Sequence, residues 1–275
     1  MSARDAQIAP TAYYTAYVWH RLRLPNAEIF ATPKGRRLFY TLRILGEWVA
    51  LVLPRVPSMV QYLEARHRAI DHALDINPPD RIIELGAGLS RRGLTWAARG
   101  VPYIEVDLPH MVDAKRSWIA DRAPAALLAQ VDGRLTHEVH DILAPGFRDW
   151  LAGALAGAER PVVIAEGVLG YFAIPERVAL ATSIAAALPP GGRFLCDLRA
   201  TDGSWAMAAA VRFLKAMIWV ATSGRGTRAD FTTEAEVRTF FASADFPSAA
   251  VIPVRDAAPH LAHLRMAVEV WQGVR

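Results

Sequence analysis

Arg81-Ile82-Ile83-Glu84-Leu85-Gly86-Ala87-Gly88-Leu89-Ser90 is the stretch on which the fold of this chain turns. A short apolar run closes on an acidic residue, two glycines follow one residue apart, and a helix-capping serine comes next. That order reads as a buried parallel strand feeding a tight turn into a helix. A Cβ at either glycine would obstruct the turn or the close approach of a ligand to the backbone. Ligands of open α/β sheets sit at this place, beyond the carboxyl end of a central strand. The dinucleotide fingerprint G-x-G-x-x-G is incomplete, because Arg91 stands where its third glycine belongs.

Downstream of this stretch, strands and helices alternate. Tyr103–Val106, Leu135–Val139, Val162–Ala165 and Arg193–Asp197 read as further strands. Helices are predicted near Ser90–Arg99, Met111–Arg122, Phe147–Leu155 and Pro175–Leu188, the last with proline in its first turn. Alternation on this scale implies a parallel sheet with right-handed crossovers and helices on both faces. The rhythm breaks after the fifth strand. Gly203–Thr222 reads as a long apolar helix followed by a Ser223–Gly226 hinge, a candidate lid inserted at about 200–230. Thr233-x-x-Glu236 is a capping box for a helix running to about Ala244, and strands near Ala249–Val254 and Met266–Trp271 close the chain. Upstream, Tyr13, Tyr14, Tyr17 and Val18 recur at helical spacing, and Gln61–Leu74 reads as one helix stopped before Asn77-Pro78-Pro79. No strand pattern precedes Arg81. The expected organisation is an N-terminal helical cap, 1–76, and a sheet domain, 77–275, that carries the lid.

With 275 residues, 53% of them hydrophobic, the chain can bury a full core. Its net charge of +4 is scattered without a basic run, which argues for no nucleic-acid partner. A single cysteine, Cys196, excludes an internal disulfide framework and fits a reducing compartment. The windows Leu38–Leu53 and Ala206–Val220 are interrupted by Arg43 and Glu47, and by Arg212 and Lys215, so neither reads as a bilayer span. Residues 1–10 lack the apolar core of a signal peptide. A cytoplasmic protein without a membrane partner is the expectation.

Three carboxylates close predicted strands. Asp107, about twenty residues past the glycines, stands where an acidic side chain accepts hydrogen bonds from ribose hydroxyls. The alternative is an ordinary strand-end aspartate capping the next helix. Asp141, with Ile142 beside it, lies where a nucleotide site accepts the adenine amino group and stacks its ring, or is a simple turn aspartate. Glu166 ends a buried strand, a costly position for a carboxylate unless it is paired or faces a ligand. The histidines form no metal-site pattern: His137 and His140 point to opposite faces of a strand, and His260-x-x-His263 lacks a third ligand. Cys196 reads as a small buried hydrophobe.

Together these words resemble one family, the leucine carboxyl methyltransferases and their bacterial polyketide O-methyltransferase relatives, of the class I methyltransferases that use S-adenosyl-L-methionine (SAM). The matching words are Glu84-Leu-Gly-Ala-Gly88-Leu, Glu105-Val-Asp107-Leu-Pro109 with Lys115 beyond, Ala165-Glu-Gly-Val-Leu-Gly-Tyr171 and, upstream, Ala65-Arg66-His-Arg-Ala-Ile-Asp71. The resemblance covers roughly residues 60–200. It implies a Rossmann-like, seven-stranded, mostly parallel sheet, a SAM cofactor and methyl transfer to an oxygen, often that of a carboxylate. It also implies that Arg66 pairs with the SAM carboxylate, Gly86 and Gly88 lie against the cofactor, and Asp107 and Leu108 meet the ribose side. By the same likeness Asp141 and Ile142 contact adenine, while Glu84 and Glu166 belong to the cofactor site, Glu166 at the methionine end. The chain departs from the family where Ser90 and Arg91 replace Asp and Thr. It departs again at Leu143, where an arginine for a peptide carboxylate would be expected.

The expected function is therefore SAM-dependent O-methylation of a small, largely apolar acceptor, with a carboxylate favoured and a phenolic or enolic hydroxyl as the alternative. A carboxylate is already ionised near neutral pH and needs no base, whereas a hydroxyl needs one. Tyr171, Arg199 and Arg225 are the catalytic candidates, with His110 and His140 as further bases. Tyr13, Tyr14, Tyr17, Trp205 and Trp219 are candidate walls of the acceptor pocket, or core and dimer-interface aromatics. No metal is expected, and a homodimer is compatible with the pattern. A non-catalytic SAM sensor or partner protein remains the alternative from another class.

Overall fold

The computed structural model describes residues 10–52, 55–199, 231–266 and 268–275, with backbone only for 45–52 and 199. Five parallel strands are β1 (Arg81–Leu85), β2 (Tyr103–Asp107), β3 (Leu135–Val139), β4 (Pro161–Ala165) and β5 (Arg193–Arg199). They join β6 (Ser248–Val251) and the antiparallel β7 (Val268–Val274) in one sheet of order β3-β2-β1-β4-β5-β7-β6. The arrangement is the expected Rossmann-like, mostly parallel, seven-stranded sheet. Burial explains the apolar runs: β4 is buried along its whole length, whereas the edge strand β3 is not. Chain order reverses at β1, between β2 and β4, and this switch point is where the crossover loops diverge and leave a crevice.

Helices cover both faces. On one side lie α1 (Pro10–Arg21), α3 (Met59–Ile76), α4 (Arg92–Ala98) and α5 (Pro109–Arg122), where Tyr13, Ile70 and Leu74 share a core with Ile82, Val162 and Leu195. The N-terminal helices α1 and α3 thus share one core with the sheet. The opposite face carries α7 (Phe147–Leu155), α8 (Ile174–Ala187) and α9 (Glu234–Ser243), packed on Ile83, Leu85, Val163, Phe194 and Cys196. Successive strand residues face opposite layers. In β1, Ile83 and Leu85 therefore point to the second layer, and Ile82 and Glu84 to the first.

Local signals account for several boundaries. The Ser58 hydroxyl accepts from Gln61 N (3.3 Å), and Gln61 Oε1 accepts from Ser58 N (2.9 Å). This capping box starts α3 two residues earlier than the periodicity predicts. The Thr233 hydroxyl caps α9 by accepting from Glu236 N at 3.2 Å, but the Glu236 carboxylate turns to Thr232 N (2.7 Å), so the second half of that box does not form. A short helix α6 (Ala125–Val131) follows α5 and was not expected; it begins beyond Pro124, which separates the two. Pro253 caps another unexpected turn of helix, Val254–Ala257, and β6 accordingly ends at Val251 rather than Val254. Tyr13, Tyr14 and Tyr17 are buried, with Tyr14 and Tyr17 packed on Phe39 of the intervening helix α2 (Pro33–Val52). The expected lid Gly203–Thr222, its Ser223–Gly226 hinge, Trp205, Trp219 and Arg225 lie outside the described residues. Among the described residues, no helix is long and apolar enough to cross a membrane.

Candidate functional site

The crevice begins at the glycine turn. Gly86 (φ 62°) and Gly88 (φ 49°) both adopt left-handed backbone, and Gly86 N and Ala87 N donate to Val106 O at 2.8 and 3.3 Å. A Cβ on Gly86 would sit 2.8 Å from Val168 Cγ2, so a side chain there would collide with the loop after β4. Asp107 closes β2. Its Oδ2 accepts from Gly88 N and its Oδ1 from Leu108 N, each at 2.7 Å, so the carboxylate fixes the glycine turn. Burial raises the Asp107 carboxyl above its usual range, against the pull of those two N–H groups.

Beside it, Leu108 is 48% exposed, as are Val139 at 44% and Leu143 at 38%. Val139 is the β3 partner of Asp107, so exposed apolar side chains stand at the ends of β2 and β3. Asp141 is exposed and its Oδ1 accepts from Leu143 N at 3.0 Å. Ile142 turns inward to the core with Leu85 and Val106 and is only 9% exposed.

The other side of the crevice is built on a buried ionic network. Arg92, at the start of α4 and fully buried, donates to three carboxylates. Its Nε meets Asp71 Oδ1 (2.8 Å), Nη1 meets Glu84 Oε1 (2.6 Å), and Nη2 meets Glu166 Oε2 (2.8 Å). Tyr103 Oη donates to the second Glu84 oxygen at 2.7 Å, so both Glu84 oxygens are engaged within the chain. Arg91 pairs with Asp71 and donates from Nε to His67 Nε2 at 3.2 Å. Burial alone would push the Glu166 carboxyl up. The hydrogen-bonding His67 and the guanidinium groups of Arg92 and Arg66 reverse this and hold it well below the usual range.

Arg66 carries the network to the crevice. Its Nε donates to Glu166 Oε1 at 3.0 Å and its Nη1 to Asp197 Oδ2 at 3.3 Å. Asp197, on β5, also accepts from Gly167 N at 2.5 Å. Gly167 has φ 71°, and a Cβ there would lie 3.1 Å from both Nη atoms of Arg66. Arg66 Nη2 meets no acceptor among the described residues.

The structure thus gathers Arg66, Glu84, Gly86, Gly88, Asp107, Leu108 and Glu166 around the carboxyl ends of β1, β2 and β4, with Asp141 and Ile142 just beyond β3. Tyr171 lies in the half-buried turn Leu169–Tyr171 after β4. Arg199 ends β5, and the His140 ring lies against Trp150, centroids 4.2 Å apart and planes inclined by 36°. The sequence reading missed Asp197, His67, Asp71, Arg92 and Tyr103. Asp197 had a signal: like Asp107 and Glu166, it is a carboxylate near the end of a buried parallel strand. The glycine turn, the open lone pairs of Asp107 and the free Nη2 of Arg66 suit a ligand with vicinal hydroxyls at one end and a carboxylate at the other.

The family model described as leucine carboxyl methyltransferase matches residues 20–185. No curated protein matches the chain in sequence. Among solved structures, a protein of Thermobifida fusca provisionally assigned as a methyltransferase superposes with TM-score 0.57 at 14% identity, over 98% of this chain and 94% of its own. The SAM-dependent methyltransferase SibL gives 0.54 at 16% identity, over 94% and 61%. Human N-acetylserotonin methyltransferase, solved with SAM, gives 0.51 at 13%, over 94% and 62%. The chain therefore spans less than two thirds of the length of these last two proteins. At such identities the likeness is one of fold.

Proposed function

The chain belongs to the leucine carboxyl methyltransferase family, and from that premise we propose that it is a SAM-dependent methyltransferase acting on an oxygen of a small, largely apolar acceptor. The observation that carries this reading is Arg66, held between Glu166 and Asp197 beside the Gly86-x-Gly88 turn. When bound, SAM supplies an electrophilic methyl group on a sulfonium. In this reading Arg66 Nη2 meets the cofactor carboxylate and Asp107 accepts the ribose hydroxyls. Asp141 accepts the adenine amino group, Leu108 flanks the ring with Ile142 beneath it at the edge of the core, and Gly86 and Gly88 give the cofactor bare backbone. Glu84 and Glu166 act one step back, by holding the guanidinium groups that shape the site. The chain's own task is then to align the acceptor oxygen with the methyl carbon and to exclude water. A carboxylate acceptor is favoured, because it arrives ionised and asks no base of the protein.

Calorimetry with SAM, S-adenosylhomocysteine and NAD, followed by turnover of labelled SAM with a panel of small acids and phenols, tests this reading. Binding of the first two ligands and transfer to an acid are expected. Tight NAD binding with silent SAM would overturn it.

A further inference from the structure

His67 lies on α3 next to Arg66, is 1% exposed, and touches charged groups on several sides. Glu166, in the loop after β4, stands 3.0 Å from its Nδ1. From the region of α4, Arg91 Nε lies 3.2 Å from its Nε2 and Arg92 Nη2 lies 3.0 Å from its Nδ1. Asp71, on α3 itself, is 3.9 Å from Nε2. The Trp19 ring of α1 covers the imidazole face, 4.1 Å away and inclined by 23°.

These contacts fix the proton. A guanidinium only donates, so Nε2 facing Arg91 Nε must be an acceptor. A neutral imidazole with a bare Nε2 carries its proton on Nδ1, the atom that faces the Glu166 carboxylate. Arg92 Nη2 also lies 3.0 Å from Nδ1, but its shorter bond goes to Glu166 Oε2 at 2.8 Å, and of the two ring nitrogens Nδ1 alone has a carboxylate within hydrogen-bond distance, Asp71 being 3.9 Å from Nε2. Burial, which lowers the affinity of His67 for a second proton, works in the same direction.

We propose that His67 is a positioning residue for the cofactor: a neutral, Nδ1-protonated imidazole that orients Glu166 and, through it, turns the free edge of Arg66 toward the carboxylate of SAM. This rests on the reading of Arg66 given above. Glu166 Oε2 receives Arg92 and the nearer contact of His67, whose Nδ1 also lies 3.3 Å from Oε1, and Oε1 accepts from Arg66 Nε. Without the imidazole donor the carboxylate can rotate, and Arg66 loses one of the two anchors that set its plane. The stack on Trp19 extends this dependence to the N-terminal helix.

Two measurements test the role. In the first, SAM and 5′-methylthioadenosine, which lacks the amino-acid end, are titrated into wild type, His67→Phe and His67→Asn. Phenylalanine keeps the stack and loses both nitrogens, whereas the asparagine amide can place a donor where Nδ1 stands. His67→Phe should bind SAM about tenfold or more weakly while 5′-methylthioadenosine binding changes little, and His67→Asn should recover part of the loss. Equal losses for both ligands, or no loss, would overturn the proposal. In the second, long-range nitrogen–proton NMR of the wild-type imidazole needs no variant to fold: an Nδ1–H tautomer is expected near neutral pH, and an Nε2–H or doubly protonated ring would overturn it. Wild type that binds 5′-methylthioadenosine but not SAM would instead sink the assignment of Arg66, and wild type that binds neither would sink the proposed function; either takes this inference with it.

Discussion

Arg66 Nε and Glu166 Oε1 stand 3.0 Å apart although one hundred residues separate them in sequence. The pair joins α3 to the loop after β4 across the mouth of the crevice, and Asp197 from β5 fixes a second nitrogen of the same guanidinium. An arginine pinned on two nitrogens presents its third in a set direction, which is the geometry a carboxylate ligand needs.

Arg66→Ala should therefore weaken SAM by about 2–5 kcal/mol, the usual cost of removing one partner of a buried charge pair. Adenosine, which has no carboxylate, should lose far less. Glu166 keeps His67 and Arg92, so the fold should survive. Parallel titrations of the two ligands decide the matter, and equal losses would exclude carboxylate pairing.

Asp107→Ala should behave differently, because Asp107 both faces the expected ribose and fixes Gly88 N. SAM and adenosine should weaken together, each by more than about tenfold. A loss confined to SAM would place the ribose elsewhere.

Gly167→Ala tests the approach of the loop to Arg66. The left-handed backbone would cost about 1–2 kcal/mol in stability. The new methyl would also meet a guanidinium that its two carboxylates keep from moving aside. Lower melting temperature together with weaker SAM binding is expected; a change in melting temperature alone would show that Arg66 adjusts.

Acid should destabilise the fold in a set order. Burial lowers the His67 pKa from 6.5, so the unfolded chain takes up that proton first and stability begins to fall below that value. Glu166 lies well below 4.5, and its contribution is present above the ordinary carboxylate range and lost as pH falls through it. Glu84 opposes the trend, since burial raises its pKa and the folded state holds that proton more tightly. Melting temperatures measured from about pH 7.5 to about pH 4 should decline, and Glu166→Gln should flatten the acid end of the curve. A flat wild-type profile would contradict the pairing seen at Glu166.

The methylated product identifies the oxygen. A methyl ester is cleaved by mild base and releases methanol, whereas an aryl methyl ether survives. Base-labile label is expected after turnover with labelled SAM. Stable label would assign a hydroxyl acceptor and turn the search for a base to Tyr171, His110 and His140.

Sequence alone located what depends on local pattern. The bounds of β1, β3 and α7 agree to the residue, because neighbouring turn residues mark them without reference to distant partners. Asp107 and Glu166 were legible for the same reason, as carboxylates that close buried strands. The network was not. Arg92 and His67 look like ordinary polar helix residues until folding sets them against Glu84 and Glu166, 8 and 99 positions away respectively. Nothing local distinguishes a buried arginine from an exposed one when its partners come from three separate elements. Helix α6 escaped for a different reason: its short apolar sequence lacks a polar cap and an amphipathic period.

The sheet order has a bearing on how the polypeptide is made. Strand β7 lies between β5 and β6, and among the described residues β6 pairs with no other strand. During synthesis β5 and β6 emerge first and must wait, with β5 open along one edge and β6 unattached, until residues 268–274 leave the ribosome and fill the gap. Through that interval the nascent chain exposes an unpaired strand edge of the kind that recruits chaperones or invites aggregation. The vulnerable interval therefore opens once β5 has been made and lasts until residues 268–274 follow it, when the crevice-forming strands β1 to β5 are already in place.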